Sequence, residues 1–339
     1  MNILATYPRR NAGSPSKPSM INQQAKPNII NQQAKPSMTK HQDLITAVDG
    51  IRGTVTFEAP LRDLTTLRIG GPADALVVPE DIEDVSRLVA QAYIAQVPLF
   101  VLGGTNLLIQ DGGIRGIVVS LSKLATMEVE GDQTTVVRAG AGVRMPTLLG
   151  YVGSQSLAGL EWAAGIPGTV GGAVVMNAGT HLGEMKDCLQ AIQLVNSEGR
   201  VVVYPASTLA FSYRHTNVPE GIVVGVWLQL THSAKAKVES TTKSYLQYRK
   251  NTQPLSQPNA GSVFKNPPKT SAGQLIEEAG LKGLRIGDAQ ISSKHANFII
   301  NLGNARATDA ILLIKKIQQD VFHRTGTMLE VEWKIVGEG

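Results

Sequence analysis

Two glycine-rich stretches are the residues whose types and spacing point most directly to chemistry. The first is Gly103-Gly104-Thr105-Asn106, and the second is Gly165-Ile166-Pro167-Gly168-Thr169-Val170-Gly171-Gly172-Ala173. Because glycine lacks a Cβ, such stretches expose backbone N–H groups, and several of these together suit an anion such as a pyrophosphate. A turn that ends a strand explains the first stretch equally well. The second, followed closely by Asn177-Ala178-Gly179, favours a ligand or a close backbone contact, since repeated glycines weaken local structure.

The usual nucleotide-binding motifs are missing from the sequence. Gly140-Ala141-Gly142-Val143-Arg144-Met145 has a methionine where a Rossmann loop requires its third glycine, and there is no Walker A run. The glycine stretches therefore predict a dinucleotide site that is not built on a Rossmann loop.

A third stretch, Gly261 to Pro267, contains Ser262, Lys265 and Asn266. A serine on a rigid turn can donate a proton when its neighbours assist it. The lysine and the asparagine could bind phosphate or sugar. An ordinary structural turn explains these residues equally well.

Charged side chains supply the remaining candidates. Arg214 follows Tyr213, and Glu330 and Glu332 lie two residues apart in a predicted strand from Leu329 to Val336, which places both on one face. A solvated arginine and an exposed strand face are the ordinary explanations. The six histidines lack any spacing typical of metal ligands, so we expect no metal site.

The net charge of +5 does not indicate a nucleic-acid partner, because of where the charge lies. Residues 1–45 contain six basic residues and one acidic residue, whereas the remainder contains 26 of each. The part expected to fold is electrically balanced, so we expect no basic nucleic-acid face.

Cysteine content and hydropathy bear on the compartment. Cys188 is the one cysteine, so no disulfide can form within the chain, and we expect a buried structural thiol. No apolar run approaches the roughly 18 residues that a membrane helix needs, and the first ten residues lack the apolar core of a secretory signal. We expect a cytoplasmic protein that acts as a monomer. A transit peptide stays open, but the repeat Ile-Asn-Gln-Gln-Ala-Lys-Pro at 21–27 and 30–36 favours a disordered tail.

Periodicity predicts a β-α-β unit followed by short strands. Ala73 to Val78 and Pro98 to Leu102 are strand-like, and the residues between them repeat at helical spacing, with Asp81 placed to cap the helix. The first glycine stretch then follows the carboxyl end of the second strand, where open α/β sheets place ligand loops.

The last ~90 residues have a different pattern, which predicts a separate α+β lobe. Ser271 is placed to cap a helix that stops at Gly280, and a longer helix ends near Gly326. Ile291 to Asn301 is strand-like.

Taken in order, these segments resemble the UDP-N-acetylenolpyruvoylglucosamine reductases (UDP-N-acetylmuramate dehydrogenases), flavoenzymes of peptidoglycan precursor synthesis. The resemblance runs from about Thr65 to Gly337. Each segment is weak by itself, but the ordered set is specific. The matching segments are Thr65-Thr66-Leu67-Arg68-Ile69-Gly70-Gly71, Gly103-Gly104-Thr105-Asn106-Leu107-Leu108, Gly165 to Asn177, Tyr213-Arg214, Gly261 to Pro267 and Leu329-Glu330-Val331-Glu332.

The resemblance implies an α+β fold with an FAD-binding domain of the vanillyl-alcohol-oxidase (PCMH) type. Two subdomains enclose FAD, and a C-terminal α+β domain binds substrate. We therefore expect a disordered tail over 1–45, an FAD-binding domain over 46–235 with subdomains of about 46–124 and 125–235, and a substrate-binding domain over 236–339.

The resemblance also implies the reaction and the site residues. NADPH reduces FAD, leaves, and is replaced by UDP-N-acetylglucosamine enolpyruvate, which receives hydride at its methylene carbon and a proton at the adjacent carbon. By the family's motifs, Ser262 donates the proton, while Arg214 and Glu332 stabilise the enolate-like intermediate. Tyr213, Lys265 and Asn266 are expected to touch substrate. The residues expected to bind FAD are Leu102, Gly103, Gly104, Thr105, Asn106, Leu107, Gly165, Ile166, Pro167, Gly168, Thr169, Gly171, Gly172 and Ala173.

The sequence departs from the family's pattern at three points. Thr105 replaces the commoner serine, and either hydroxyl can donate to phosphate. Val331-Glu332-Trp333 stands where Pro-Glu-Val is usual, so the backbone entering Glu332 need not follow the family's path. No tyrosine-bearing insertion separates Arg214 from Ser262, which places the chain with the shorter branch.

Two other functions stay open at this point. An oxidase with the same flavin domain would have no enol intermediate to protonate, which the set of Ser262, Arg214 and Glu332 disfavours. A non-catalytic nucleotide-binding or scaffold protein would suit the low-complexity tail, and it would be colourless even when FAD is supplied.

Overall fold

A computed structural model describes residue 30, residues 41–131 and residues 135–339. The helices are α1 (His41–Val48), α2 (Ile82–Ala95), α3 (Met145–Ser154), α4 (Val170–Val175), α5 (Lys235–Thr252), α6 (Ala272–Glu278) and α7 (Ala307–Thr325). The strands are β1 (Thr54–Pro60), β2 (Pro72–Val78), β3 (Leu99–Leu102), β4 (Leu107–Ile109), β5 (Ile114–Ser120), β6 (Met127–Val129), β7 (Val136–Gly140), β8 (Leu157–Ala158), β9 (Gly179–Thr180), β10 (Gly183–Glu184), β11 (Leu189–Asn196), β12 (Val201–Pro205), β13 (Phe211–Ser212), β14 (His215–Thr216), β15 (Gly221–Gln229), β16 (Thr231–His232), β17 (Asn259–Ser262), β18 (Arg285–Ile286), β19 (Ala289–Ile291), β20 (Phe298–Asn301) and β21 (Lys334–Val336). Within the described ranges, no helix combines the length and apolar character needed to cross a bilayer.

The tail expected to be disordered, residues 1–45, lies mostly outside the described residues. Its last five residues are an exception, because α1 begins at His41. Leu44 and Ala47 are buried against the main core, and burial of these two side chains stabilises a helix that composition alone does not favour. The expectation of disorder is therefore wrong for residues 41–45.

The first sheet has the strand order β1-β2-β5-β3, with β2, β5 and β3 parallel. Helix α2 connects β2 to β3 and buries the apolar face formed by Val85, Leu88, Val89 and Ala92. The Asp81 carboxylate accepts a hydrogen bond of 3.0 Å from the Asp84 N–H, a cap typically worth about 1 kcal/mol. The predicted β-α-β unit is confirmed, and the first glycine stretch begins directly after β3.

The second sheet is antiparallel, in the order β12-β11-β15-β7-β6, and it shares one hydrophobic core with the first. The second glycine stretch leads into the short helix α4 beside this sheet. Cys188 precedes β11 and is buried, and burial raises the pKa of its thiol to about 12. The prediction of a buried thiol is confirmed.

The third sheet, β17-β20-β19-β18, packs with α6 and α7 around a separate core. The Ser271 hydroxyl accepts a hydrogen bond of 3.1 Å from the Gln274 N–H at the start of α6. Helix α7 ends at Gly326, which takes the left-handed φ of 70° that glycine tolerates best. The α+β lobe and both helix ends agree with the sequence prediction.

The part of the chain after residue 235 contacts the part before it in several places. Strand β21 pairs in parallel with β4, and Leu67 and Leu108 contribute to the core of the third sheet. Helix α5 packs against α3 and β8, with Val238 buried. The bounds of the domains stay predictions, because Leu67, Ile69 and Leu108, which precede residue 235, belong to the core of the third sheet.

The prediction of a continuous strand from Leu329 to Val336 is wrong, because only Lys334–Val336 form a strand, β21. The Glu332 N–H donates to the Val263 carbonyl at 2.8 Å, whereas the Lys334 N–H donates to the Asn106 carbonyl at 2.8 Å. The segment changes partners because it crosses from one domain to the other. Glu330 and Glu332 therefore do not share an exposed face: their side chains are 70% and 12% exposed.

The strand-like segment from Ile291 to Asn301 is a hairpin rather than one strand. Strands β19 and β20 are its arms, and the Ser292 hydroxyl accepts the Lys294 N–H at 3.1 Å in the connecting turn. The apolar composition predicted extended structure correctly but did not reveal the turn.

Candidate active site

A cleft of about 1590 Å³ is lined by both glycine stretches, by α5 and by the third sheet. Arg214, Ser262 and Glu332, which lie far apart in sequence, all contribute to its wall. The three residues predicted to be catalytic therefore line one common space.

The first glycine stretch provides unpaired backbone donors. The N–H groups of residues 103–106 donate no hydrogen bond to any group in the described part of the chain. Successive free amides beside a cleft are suited to binding a diphosphate. This property fits the FAD-binding role predicted for the stretch.

The two glycine stretches touch through their backbones. A Cβ built on Gly172 would lie 2.4 Å from the Gly103 carbonyl oxygen, and one built on Gly103 would lie 2.8 Å from Thr169 Oγ1. The Thr169 N–H donates to the same Gly103 carbonyl at 3.2 Å. Side chains at these glycines would separate the stretches, so the glycines are required by the contact between them.

Most backbone N–H groups of the second glycine stretch already donate hydrogen bonds to other atoms of the protein. The Gly171 N–H donates to Ala141 at 2.9 Å, and the Gly172 N–H donates to the Thr169 hydroxyl at 3.3 Å. The amides of Gly165 and Gly168 donate no hydrogen bond among the described residues. The stretch therefore serves mainly to bring backbone segments together, with few amides left for a ligand.

Most residues predicted to bind FAD line the cleft. Leu107 and Gly171 do not: Leu107 is buried in β4, and Gly171 packs on Ala141. Those that line it are Leu102, Gly103, Gly104, Thr105, Asn106, Gly165, Ile166, Pro167, Gly168, Thr169, Gly172 and Ala173.

Arg214 lies at the tip of a hairpin formed by β13 and β14. Its backbone φ is 56°, which a residue with a Cβ adopts at a cost. Its Nε donates to Glu332 Oε1 at 3.2 Å, and its guanidinium carbon lies 4.8 Å from the centre of the Tyr213 ring. The turn and the ring fix the guanidinium at the cleft wall.

Glu332 is unusual among the carboxylates because burial raises its pKa above the ordinary value. Arg214 opposes this shift, as do Tyr213, whose hydroxyl lies 3.5 Å from Oε2, and Lys265. Burial is the larger influence. A carboxyl group with a raised pKa keeps its proton to a higher pH than an exposed carboxyl group does.

Ser262 ends β17, opposite Phe298 of β20. The indole Nε1 of Trp333 lies 3.4 Å from the Gly261 carbonyl oxygen, to which it donates, and the Glu332 N–H donates to Val263. The tryptophan that departs from the family's pattern therefore supports the serine turn. These bonds place Ser262 and Glu332 on adjoining backbone segments.

The residues predicted to touch substrate lie in different surroundings. Asn266 lines the cleft, and its Oδ1 accepts the Ala272 N–H at 3.0 Å where α6 begins. Lys265 forms an ion pair with the exposed Glu330, and Tyr213 is 53% exposed; neither belongs to the cleft wall.

Comparison with known proteins agrees with this geometry. Residues 73–204 match the FAD binding domain family, and residues 253–336 match the UDP-N-acetylenolpyruvoylglucosamine reductase C-terminal domain. The reductase of Desulforamulus reducens is 44% identical over 292 residues, which cover 85% of this chain and 95% of that protein. The reductase of Syntrophus aciditrophicus is also 44% identical, covering 85% and 94%.

A solved structure gives the same result. The crystal structure of the reductase from Thermus caldophilus superimposes with a TM-score of 0.73 at 40% identity, covering 85% of this chain and all of that one. The chain belongs to the UDP-N-acetylenolpyruvoylglucosamine reductase family.

Family membership confirms the fold class and the function expected from the sequence. The chain is an FAD-dependent oxidoreductase that reduces UDP-N-acetylglucosamine enolpyruvate with NADPH in peptidoglycan precursor synthesis. The oxidase and the non-catalytic scaffold are set aside by the same finding.

The structure adds cleft residues that sequence reasoning missed. Arg249 on α5 donates from Nη1 to the Ala164 carbonyl at 3.1 Å and from Nε to Gln253 Oε1 at 3.0 Å. No carboxylate within the described ranges pairs with it. Burial lowers its pKa to about 10, with a further contribution from Arg214. Helix α5 is polar on nearly every face, so no periodicity marks Arg249.

His295 is a second residue that was missed. It lines the cleft beside Gly273, and its Nδ1 accepts the Asn297 N–H at 3.2 Å. Burial lowers its pKa, which favours the neutral ring with its proton on Nε2. In the sequence, the histidines were compared only with the spacing of metal ligands, which does not single out His295.

The contact between the glycine stretches generates a prediction. In Gly172→Ala, the new Cβ would overlap the Gly103 carbonyl, so the two backbones must separate and residues 103–106 must move. We expect the purified variant to lose most of its FAD, measured as the ratio of flavin to protein absorbance after gel filtration.

Gly150→Ala is the matched control, because Gly150 lies in α3 and no described atom outside the adjoining turns of that helix lies within 4 Å of the position that the added methyl group would take. It should retain FAD like the unaltered protein. Full FAD retention by Gly172→Ala would contradict the role assigned to the contact.

Proposed function

We propose that Arg214, Glu332 and Ser262 form the catalytic group and that the substrate's enolpyruvyl group binds between them and FAD. The observation that carries this proposal is the 3.2 Å contact between Arg214 and Glu332 on a wall that Ser262 also lines. Bound FAD supplies the methylene carbon with the hydride that it has taken from NADPH. The chain's own residues bind the substrate and complete the reaction with a proton.

Arg214 offsets the negative charge that develops on the carbon beside the substrate carboxylate. Its guanidinium is only partly exposed, so the charge acts in surroundings where water screens it weakly. The hairpin and the hydrogen bond to Glu332 fix its position before substrate arrives. Such a preorganised charge requires little rearrangement during the reaction.

Ser262 delivers the proton to that carbon from the end of β17. A serine hydroxyl is a poor acid in water, so the reaction depends on neighbouring groups. Arg214 stabilises the charge on the accepting carbon until the proton arrives. Glu332, in its protonated form, donates a hydrogen bond to the same charge.

Arg249 binds an anionic group of a ligand, such as a carboxylate or a diphosphate. It is a largely buried cation near another cation, and its partners among the described residues are neutral oxygen atoms. An anion at this position would relieve the repulsion between Arg249 and Arg214. Asn266, Lys265 and Tyr213 complete the substrate contacts, Asn266 from the cleft wall and the other two from positions beside it.

The protein acts as a monomer in the cytoplasm. The cleft wall includes both glycine stretches and all three catalytic candidates from a single chain, so no second copy is required. The single buried thiol suits a reducing compartment.

The role of Ser262 predicts a separation of the two half-reactions. We expect Ser262→Ala to reduce its flavin with NADPH at the normal rate, but to transfer hydride to the enolpyruvyl substrate roughly 10²–10⁴-fold more slowly. Stopped-flow absorbance at the flavin band measures both steps.

Ser240→Ala is the control, because Ser240 lies on the exposed part of α5 away from the cleft wall. Equal slowing of both half-reactions in Ser262→Ala would show that the serine does not donate the proton.

The raised pKa of Glu332 predicts the pH dependence of the substrate half-reaction. The carboxyl group is protonated below this pKa and loses its proton as pH rises through it, so the rate should fall as pH increases. Glu332→Gln keeps an N–H donor that does not titrate, so its rate should lose this dependence. A variant profile that falls in parallel with the unaltered enzyme would assign the titration to another group.

A further inference from the structure

The hairpin that contains Arg214 has few stabilising hydrogen bonds between its own strands. We call Phe211–Thr216 the Arg214 hairpin; its strands are two residues long and, within the described part of the chain, pair only with each other. Arg214 also has the costly φ of 56°. An isolated hairpin of this size is unstable in water, so contacts outside it must fix its position.

Asn177 makes one such contact. Its side-chain Nδ2 donates to the Ser212 carbonyl at 3.2 Å, two residues before Arg214, and to Glu184 Oε2 at 2.9 Å. Its Oδ1 accepts the Lys186 N–H at 3.0 Å. The side chain therefore uses both amide protons and its oxygen on defined partners.

The burial and the backbone conformation of Asn177 restrict which residue type can occupy this position. The residue is completely buried, with 0% of its surface exposed, and its φ is 39°. A buried amide is tolerated where each polar atom has a partner. Asparagine is also among the residues that adopt a positive φ most readily. Both requirements point to this residue type at this position.

The second arm of the Arg214 hairpin has a similar attachment. The Thr216 hydroxyl donates to the Val174 carbonyl at 2.6 Å, and Thr216 is 2% exposed. Val174 lies in α4, which follows the second glycine stretch, and Asn177 follows α4. Both arms are thus bonded to one backbone segment, residues 174–177, which continues directly from the cofactor cleft.

We propose that Asn177 is a positioning residue that fixes Arg214 relative to the FAD-binding backbone through its hydrogen bond to Ser212. It touches neither FAD nor substrate in this account, since Met176 and Ala178 line the cleft and Asn177 does not. The inference rests on the role proposed for Arg214. Asn177 therefore affects the rate of the substrate half-reaction but not the rate at which NADPH reduces FAD.

The test uses the FAD-loaded enzyme and the variant Asn177→Gly, because glycine accepts the positive φ without strain. We expect flavin reduction by NADPH and FAD content to be unchanged. Hydride transfer to the enolpyruvyl substrate should slow by about 10- to 100-fold, the effect expected of a small displacement of a catalytic charge.

A double-mutant cycle separates positioning from a general structural role. Asn177→Gly should slow the substrate half-reaction much less in an Arg214→Ala background than alone, because the group that it positions is already missing. Thr216→Val, which removes the other attachment without changing the backbone, should show the same pattern. Asn196→Gly is the matched control: its side chain also binds backbone amides, at Glu198 and Arg200, but in the distant β11–β12 turn.

Each outcome decides between the proposals. If Arg214→Ala leaves the substrate half-reaction unchanged, the proposed function of Arg214 is wrong. If Arg214→Ala slows it but Asn177→Gly and Thr216→Val do not, only the inference about Asn177 is wrong. Multiplicative slowing in the double variant, or equal loss of both half-reactions in Asn177→Gly, would also overturn the positioning role.

Discussion

The backbone contact between Gly103 and Gly172 is the constraint on which the rest of the site depends. It brings the turn after β3 against the start of α4, so close that a Cβ at position 172 would lie 2.4 Å from the Gly103 carbonyl oxygen. The free amides of residues 103–106 lie on one side of this contact, and residues 174–177 continue from the other. The proposed binding of FAD and the placement of Arg214 therefore depend on the same backbone contact.

Charge in the cleft is arranged around ligands that are themselves anionic. Arg214 has a carboxylate partner in Glu332, but Arg249 has only neutral oxygen atoms among the described residues. The resulting excess of positive charge suits a substrate with a carboxylate and a diphosphate. Burial shifts the pKa of Glu332 upward and that of Arg249 downward, because the charged form of each group is poorly solvated in the cleft. The cleft acquires this character from tertiary contacts rather than from a local motif.

Local signals in the sequence predicted much of the fold. Asp81, Ser271 and Gly326 mark helix ends because capping depends on residues only a few positions apart. The ordered motifs identified the family and brought Arg214, Ser262 and Glu332 into consideration. Features set by distant contacts were not predictable in this way. Period-two alternation placed Glu330 and Glu332 on one face, whereas the chain changes partners between domains at that point. Arg249 lies on a polar helix without periodicity, and the hydrogen bond from Asn177 spans 35 residues.

A crystal structure of the protein with FAD and the enolpyruvyl sugar nucleotide bound tests the central claim most directly. The account predicts diphosphate oxygens of FAD about 3 Å from the amides of residues 103–106, the usual hydrogen-bond distance. It also predicts the enolpyruvyl group between the flavin ring and the side chains of Arg214, Ser262 and Glu332. A diphosphate bound elsewhere, with those amides facing water, would contradict the account. So would an enolpyruvyl group out of reach of the three side chains.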